Sequence, residues 1–184
     1  LAGGDLVMIL IFGAIASLVL GIGMTVSACY IFLAIVLAPA IIEGGISPLA
    51  AHLYVLYWGV LSFITPPVAI AAITASSIAN TSALKTGFLS MRLGSILFFL
   101  PVLFVFDPAM LMQGQISDVI LSFTIAIFAI IVISSAFEGY IYFFGKINYL
   151  FRMLYFSAGI LILIPHLISK YIGFSILIIM LLLL

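Results

Sequence analysis

Long stretches without a charged side chain are the feature that most limits what this chain can fold into. The chain has 184 residues but only 5 acidic and 5 basic side chains, whereas soluble domains carry roughly 25% charged residues. Apolar stretches of about 20 residues predict helices that cross the roughly 30 Å hydrocarbon core of a bilayer. The sequence therefore predicts an all-α polytopic membrane protein. The charge-free stretches lie between Asp5 and Glu43, Glu43 and Lys85, Arg92 and Asp107, Asp118 and Glu138, and Arg152 and Lys170.

The few charges are markers of topology rather than of a charged partner. The net charge is zero with neutral histidine, so the composition gives no indication of a nucleic acid partner. Two basic pairs, Lys85 with Arg92 and Lys146 with Arg152, flank the acidic connection 107–118. Because basic loops stay in the cytoplasm, we expect both basic pairs on the cytoplasmic side and the acidic connection outside.

Residues that carry chemistry are sparse, and they form no catalytic set. Cys29 is the single cysteine, and its apolar neighbours favour an inert, packed thiol. No carboxylate pair, Ser/His/Asp set or metal-ligand spacing occurs, so we predict that the chain is not an enzyme and has no cofactor. His52 and His166 are interpreted as packing or interfacial residues, with a substrate contact as the alternative for His52. The chain lacks an initiator methionine and a signal peptide and ends within an apolar run, so we interpret it as part of a longer polypeptide.

A glycine-rich interruption divides the first apolar region. The apolar arms 6–20 and 25–38 flank the sequence GIGM at 21–24. Each arm has about 15 residues and would be about 22 Å long as a helix, shorter than the hydrocarbon core. Segment 1–45 is therefore predicted to be a re-entrant helical hairpin with GIGM at its tip. Two full spans are the alternative.

The second apolar region, 46–81, is predicted to be one broken transmembrane helix. Ser47 and Pro48 are typical of an N-cap followed by the first helical position. The first half-helix is expected to stop near Ile64, and the second is expected to cover about 68–79.

Pro66 and Pro67 cause this interruption. Neither has an N–H group, so the carbonyls of Ser62 and Phe63 lose their i+4 donors, and the ring of Pro66 pushes Thr65 out of the α region. Each unsatisfied group in hydrocarbon costs several kcal/mol, and broken backbone survives there only beside protein or a water-filled cavity. We therefore expect the break to face such a cavity.

The glycine break and the proline break together predict an ion site. Gly21 and Gly23 tolerate unwound backbone, and Thr25 and Ser27 can cap the half-helix that follows. A pair of interrupted apolar segments is typical of secondary transporters, in which freed oxygen atoms hold a cation. Such ligands suit a hard ion such as Na⁺ rather than a transition metal. The alternative is a pair of structural kinks, because Gly and Pro are common in membrane helices.

Segment 82–112 is predicted to begin as an amphipathic helix and then to enter the membrane. Leu84, Phe88 and Met91 lie at helical spacing on one face. Pro101 lies inside the apolar part that follows, and we expect it to kink that part.

Segment 113–184 is predicted to be an additional C-terminal membrane region. Apolar runs at 119–137, at 153–169 and from 171 onward predict further spans. The sequence FEGYIYFFGKINYLFR at 137–152 separates the first two runs, and its aromatic residues suit an interfacial helix.

Several motifs, taken in order, resemble one family of membrane permeases. The sequence LVLGIGMTVSACYIFLAIVLAPAIIEGGISPLAAHLYVLYWGVLSFITPPVAIAAITASSIAN is followed by ALKTGFLSMRLG and LFVFDPAML. Together they resemble the C-terminal part of fused TRAP (tripartite ATP-independent periplasmic) transporter permeases, in which the small and large membrane subunits form one chain. The resemblance is close over roughly residues 3–112, and FEGY with the stretch after it is similar to the family's additional C-terminal region.

The resemblance implies a sodium-driven, elevator-type importer built from inverted repeats, of which this segment would be the second. The family tip usually reads G-M-G-M-P-T-T, whereas here Ile22, Thr25, Val26 and Ser27 replace a Met, the Pro and the two Thr. The second sodium site of the family lies between the hairpin tip and the proline-broken helix. The matching positions here are Gly21, Gly23, Thr25 and Ser27 on the hairpin and Gly59, Thr65, Pro66 and Pro67 on the broken helix.

The resemblance also implies partners and a location. They are a periplasmic substrate-binding protein that delivers a small organic acid, the remainder of the same permease chain, and the lipid bilayer of the bacterial inner membrane. The function expected from sequence is therefore that of a multi-pass permease segment with Na⁺ as coupling ion. A membrane scaffold or assembly subunit is the main alternative, and a channel is a weaker one.

Overall fold

A computed structural model describes residues 5–142 and 144–183 of the chain. The chain divides into two compact units, with the boundary between Val105 and Phe106. The first four residues of the predicted hairpin segment, Phe143 of the predicted interfacial helix and Leu184 of the last predicted span lie outside the described residues.

All regular secondary structure in the described part of the first unit is helical. Its helices are α1 (Leu6–Gly23), α2 (Val26–Val36), α3 (Ala38–Glu43), α4 (Pro48–Leu61), α5 (Ile70–Ile78), α6 (Ala83–Leu93) and α7 (Leu100–Phe106), with a 3₁₀ turn at Ser95–Phe98.

Helices α1 and α2 form an antiparallel hairpin. The Sγ atom of Cys29 lies 3.8 Å from the carbonyl oxygen of Ser17, and a Cβ atom placed on Gly13 would meet the side chain of Leu37. The midpoints of these two pairs are residues 23 and 25, so the chain reverses between the end of α1 and Thr25, the N-cap of α2.

Helix α1 continues further than the sequence predicts. It has 18 residues and ends at Gly23, so the glycine-rich stretch is helical and the break follows it. At about 27 Å, α1 is long and apolar enough to cross a membrane, whereas α2 has 11 residues. The re-entrant placement of this hairpin stays a prediction.

The start of α4 is as predicted, whereas its end comes earlier. The Ser47 hydroxyl accepts a hydrogen bond from the Ala50 N–H at 3.3 Å, and Pro48 is the first helical residue. The helix ends at Leu61 rather than near Ile64, and α5 begins at Ile70. The buried Tyr54 hydroxyl donates to the carbonyl oxygen of Leu10 at 2.6 Å, which ties α4 to α1.

The segment after α5 bends at Gly94. The angle between α6 and the following segment Ser95–Phe106 is 68°. The kink at Pro101 stays a prediction. This residue lies in the first turn of α7, after the 3₁₀ turn Ser95–Phe98, where a missing N–H costs no helical bond. Ser82 is the N-cap of α6 but makes no capping hydrogen bond through its side chain.

The second unit contains a 3₁₀ turn, three α-helices and one small β-hairpin in its described part. They are the 3₁₀ turn Pro108–Leu111, α8 (Ile116–Glu138), β1 (Tyr140–Ile141), β2 (Gly145–Lys146), α9 (Tyr149–Leu163) and α10 (Leu167–Leu183). Strands β1 and β2 pair antiparallel.

The β-hairpin replaces the interfacial helix that the sequence predicted. Gly139 ends α8 in the left-handed conformation with φ of 68°, and Gly145 has φ of 83°. Glycine adopts this conformation without steric cost, so helix formation stops at Gly139. A new helix begins only after Asn148, whose side chain accepts from the Phe151 N–H at 2.9 Å.

Exposed apolar side chains cover most helices in both units. Ile78, Ile116 and Leu182 are 84%, 77% and 82% exposed. So much exposed apolar surface is typical of lipid-facing helices. Among the described helices, two are long and apolar enough to cross a membrane, and the bent pair at Gly94 makes a third if it is one span.

Candidate functional site

Two buried glycines bring the hairpin and the broken helix into backbone contact. Gly21 lies in the last turn of α1 and Gly59 in the last turn of α4, and both are buried. A Cβ atom on Gly21 would lie 2.5 Å from the carbonyl oxygen of Gly59, a distance at which the backbones could not stay in place. The two helix ends therefore meet because Gly21 lacks a side chain, whereas a Cβ atom on Gly59 would instead lie 3.3 Å from the Sγ atom of Cys29.

Ser62 joins the two carbonyl groups at this crossing. Its hydroxyl oxygen lies 2.9 Å from the carbonyl oxygen of Gly21 and 2.7 Å from that of Gly59, and the residue is 2% exposed. A hydroxyl has one proton, so it can donate a full hydrogen bond to only one of these carbonyls at a time. Three oxygen atoms from two helices thus converge in the interior of the first unit.

Both carbonyl groups belong to helix C-termini. The last four carbonyls of a helix have no intrahelical donor, and Gly21 and Gly59 fall within those four positions of α1 and α4. After Leu61 the chain turns, and the Phe63 N–H donates to Val60 instead of Gly59, at 3.0 Å. Because a helix C-terminus carries partial negative charge, two such ends create a local potential that favours a cation.

Thr65 lies one turn beyond this crossing. It is 7% exposed, and its hydroxyl donates to the carbonyl oxygen of Leu61 at 2.7 Å. The same carbonyl accepts the Ile64 N–H at 3.2 Å. The Thr65 hydroxyl therefore caps the last carbonyl of α4. It is a further buried oxygen atom, after those of Gly21, Gly59 and Ser62.

The carbonyls that the sequence predicted to be free are satisfied. The Ser62 carbonyl accepts from the Thr65 N–H at 3.3 Å, and the Phe63 carbonyl accepts from the Ala71 N–H at 3.1 Å. Ala69 has φ of 37°, and the chain reverses direction there. The Ala71 N–H group can therefore reach the Phe63 carbonyl. The carbonyl oxygens that converge at the crossing are thus those of Gly21 and Gly59, which lie before the prolines.

The other predicted positions on the hairpin lie away from the crossing. A Cβ atom on Gly23 would have no heavy atom within 4 Å. Thr25 is exposed, and its hydroxyl accepts from the Ala28 N–H at 3.4 Å as the N-cap of α2. Ser27 is exposed as well. The structure therefore joins Gly21 alone, of these four hairpin positions, to the end of α4 by a direct contact.

Pro66 and Pro67 shape the break without facing the crossing. The ring of Pro66 packs against α6, because a Cβ atom on Gly87 would lie 2.9 Å from its Cγ atom. Pro67 is exposed. Of the predicted set, Gly21 and Gly59 are in contact, and Thr65 is one turn away.

Ser62 is the residue of this crossing that sequence reasoning missed as a side-chain contact. It follows Gly59 by three residues and precedes Thr65 by three, so a helical turn places all three on one face. A small hydroxyl residue in the last turn before two prolines is the signal that could have found it.

The polar residues near the crossing include one hydrogen-bonded pair and one buried hydroxyl without a partner among the described residues. His52 Nδ1 lies 3.1 Å from the Tyr30 hydroxyl oxygen, which links α4 to α2. The Ser17 hydroxyl is buried without a hydrogen-bond partner in the described part of the chain. No group of three His, Cys, Asp or Glu residues that could hold a metal ion occurs among the described residues.

Long apolar helices with lipid-facing surfaces and a broken pair of helices define a multi-pass α-helical membrane protein. A family model described as "Tripartite ATP-independent periplasmic transporter, DctM component" matches residues 1–119. This match covers more than half of the chain, so the chain belongs to the DctM family and is a membrane component of a TRAP transporter. The family that the sequence motifs predicted is thereby confirmed. No curated protein and no solved structure matches the chain.

The match ends in the first turn of α8. The family assignment therefore rests on the whole first unit and on the start of the second. A TRAP membrane component implies a periplasmic binding protein and other transporter parts as partners.

Proposed function

We propose that this chain forms part of a sodium-coupled importer of small organic acids in the bacterial inner membrane, with Na⁺ held where α1 and α4 end. The observation that supports this proposal is the convergence of the Gly21 carbonyl, the Gly59 carbonyl and the Ser62 hydroxyl. Thr65 extends the same set of oxygen atoms. The substrate is delivered by a periplasmic binding protein.

The chemistry of these ligands favours a monovalent hard cation. Carbonyl and hydroxyl oxygens bind hard ions and not soft ones. The stretches 6–42 and 44–84 contain no Asp, Glu, Lys or Arg, so the site has no carboxylate to balance a second positive charge. Two helix C-termini supply partial charges of roughly −0.5 each, which together match one Na⁺ ion.

Ion binding at this point provides a physical link to substrate transport. Gly21 lies near the turn between α1 and α2, and Gly59 lies at the break in the next helix. An ion that coordinates both carbonyls stabilises the arrangement in which the hairpin is closed against the broken helix, and a ligand shifts an equilibrium by its differential affinity. The elevator movement itself is taken from the family resemblance.

Transport assays test the proposal directly. The full-length protein is reconstituted in proteoliposomes and supplied with candidate binding proteins loaded with small organic acids. We expect uptake that requires both an inward sodium gradient and the binding protein. Uptake that persists after the sodium gradient is abolished would reject sodium coupling, and ion conductance without a binding protein would indicate a channel.

Replacing Thr65 with valine is expected to raise the sodium concentration for half-maximal uptake by roughly threefold to tenfold. Valine keeps the shape of the side chain but removes the hydroxyl, and hydrogen bonds of this kind contribute about 1 kcal/mol. Thr74→Val is the matched control, because its hydroxyl also donates to the carbonyl four residues earlier, at 3.0 Å, but lies in α5. Equal sodium dependence in both variants would remove Thr65 from the site.

A further inference from the structure

A small pocket lies at the end of α8 in the second unit, away from the residues of the proposed sodium site along the chain. Its volume is about 240 Å³. It is formed by the last turn of α8 and the first two turns of α9. The residues that line it are Ala136, Phe137, Tyr149, Arg152, Met153 and Phe156.

The pocket is at the level where the membrane meets water. Helix α8 has 23 residues and is about 34 Å long, which is enough to cross the hydrocarbon core. The β-hairpin that follows exposes Tyr140 and Phe144, which are 49% and 47% exposed. Aromatic side chains of this kind collect at the lipid headgroup level, so the end of α8 lies at that level.

Arg152 is the cationic residue that lines the pocket. Its Nε–H donates to the Ala136 carbonyl at 2.9 Å and its Nη2 donates to the Phe137 carbonyl at 2.8 Å. These bonds fix the guanidinium at the C-terminus of α8 and use two of its five N–H groups. Three further N–H groups of the guanidinium remain after these two bonds.

The rest of the lining is apolar and open to lipid. The rings of Phe137 and Phe156 meet edge to face with centroids 5.5 Å apart. Met153 and Tyr149 are 56% and 74% exposed. A ligand that fits must combine an anionic group for Arg152 with an apolar part for these side chains.

The surrounding charges also favour an anion. Lys146 and Arg152 are the basic residues between Glu138 and the middle of α9, and Glu138 is the acidic one. The formal charge of this group is therefore 2 − 1 = +1. Helix α9 begins at Tyr149, and the partial positive charge of its N-terminus offsets the partial negative charge of the α8 C-terminus, so the formal charge decides the sign.

We propose that this pocket binds an anionic phospholipid, with the headgroup phosphate on the remaining N–H groups of Arg152 and an acyl chain along Phe137, Met153 and Phe156. An arginine binds phosphate through paired hydrogen bonds. This site does not depend on sodium coupling, and it gives the second unit a lipid contact that apolar helices alone do not provide.

Native mass spectrometry of the full-length protein tests the proposal. The protein is released from detergent in the presence of phosphatidylglycerol or phosphatidylcholine, and bound lipid is counted. We expect phosphatidylglycerol to be retained preferentially. Arg152→Gln is expected to reduce its apparent affinity by about tenfold, the size typical of a lost hydrogen bond to a charged group. Lys170→Gln, which removes a basic residue of α10 outside the pocket, is expected to have no effect.

A second variant keeps the test valid if Arg152→Gln does not fold. Tyr149→Glu introduces a negative charge into the pocket at the first residue of α9, where an acidic residue does not destabilise a helix. We expect it to weaken phosphatidylglycerol binding, whereas Tyr149→Gln leaves binding within about twofold.

Three results would overturn the proposal. The first is equal retention of the two lipids by the wild-type protein. The second is unchanged binding in both Arg152→Gln and Tyr149→Glu. The third is displacement of the lipid by millimolar inorganic phosphate, which would indicate a site for free phosphate.

Discussion

Replacing Gly21 with alanine is expected to reduce sodium-driven uptake by at least roughly tenfold and to lower the melting temperature of the protein. The added methyl group would lie 2.5 Å from the Gly59 carbonyl oxygen and 2.9 Å from the Ser62 hydroxyl oxygen. Overpacking of this kind costs about 1–3 kcal/mol, and tenfold in an equilibrium corresponds to about 1.4 kcal/mol. Here the clash is with backbone, so α1 and α4 must separate and their oxygen atoms with them.

The matched control is Gly23→Ala, two residues along the same helix. A Cβ atom there meets no heavy atom within 4 Å, and alanine favours a helix over glycine by up to about 1 kcal/mol. We expect near-normal uptake and stability. Both variants are measured in proteoliposomes, with protein amount and thermal stability determined in parallel. Full activity of Gly21→Ala would show that the crossing of the two glycines is not needed for transport.

Replacing Ser62 with alanine is expected to raise the sodium concentration for half-maximal uptake by about tenfold. The hydroxyl is the group that connects the Gly21 and Gly59 carbonyls, and leaving a buried acceptor unsatisfied costs about 1–3 kcal/mol. The substitution also removes one candidate ligand oxygen. A ligand that binds the folded state raises its stability, so the variant is expected to lose most of the melting-temperature increase that sodium produces.

Ser76→Ala separates this effect from general loss of a buried hydroxyl. Ser76 is 3% exposed, and its hydroxyl donates to the Ile73 carbonyl at 2.7 Å within α5. We expect Ser76→Ala to keep the sodium-dependent stabilisation, measured in sodium against choline salts. If Ser62→Ala also keeps it, the Ser62 hydroxyl packs the two helices together and does not contact the ion.

The class of protein and the proline break could be predicted from sequence because they depend on local properties, whereas the break in the hairpin follows the glycine-rich stretch instead of lying within it. Apolar stretches of sufficient length predict membrane helices, and Pro66 and Pro67 prevent a helix from continuing. The positions of the free oxygen atoms could not be predicted in this way. They depend on which amides fold back after the break, and the Ala71 N–H reaches the Phe63 carbonyl only through the turn at Ala69.

The interfacial segment shows a similar limit. Aromatic and charged residues between Glu138 and Arg152 have a spacing that an amphipathic helix would also produce. The left-handed conformations at Gly139 and Gly145 decide between helix and hairpin, and a periodicity argument does not include them. The same applies to Gly94, where a bend occurs although Pro101 is the more conspicuous residue.

The 68° bend at Gly94 has a consequence for the two basic residues of α6. Lys85 and Arg92 are seven residues apart, or about 10 Å along the helix axis. Measured along the direction of the segment after the bend, that separation shrinks to roughly 4 Å. If that segment follows the bilayer normal, α6 lies nearly flat on the membrane surface. Both cationic side chains are then at the same depth, in the layer of lipid phosphates.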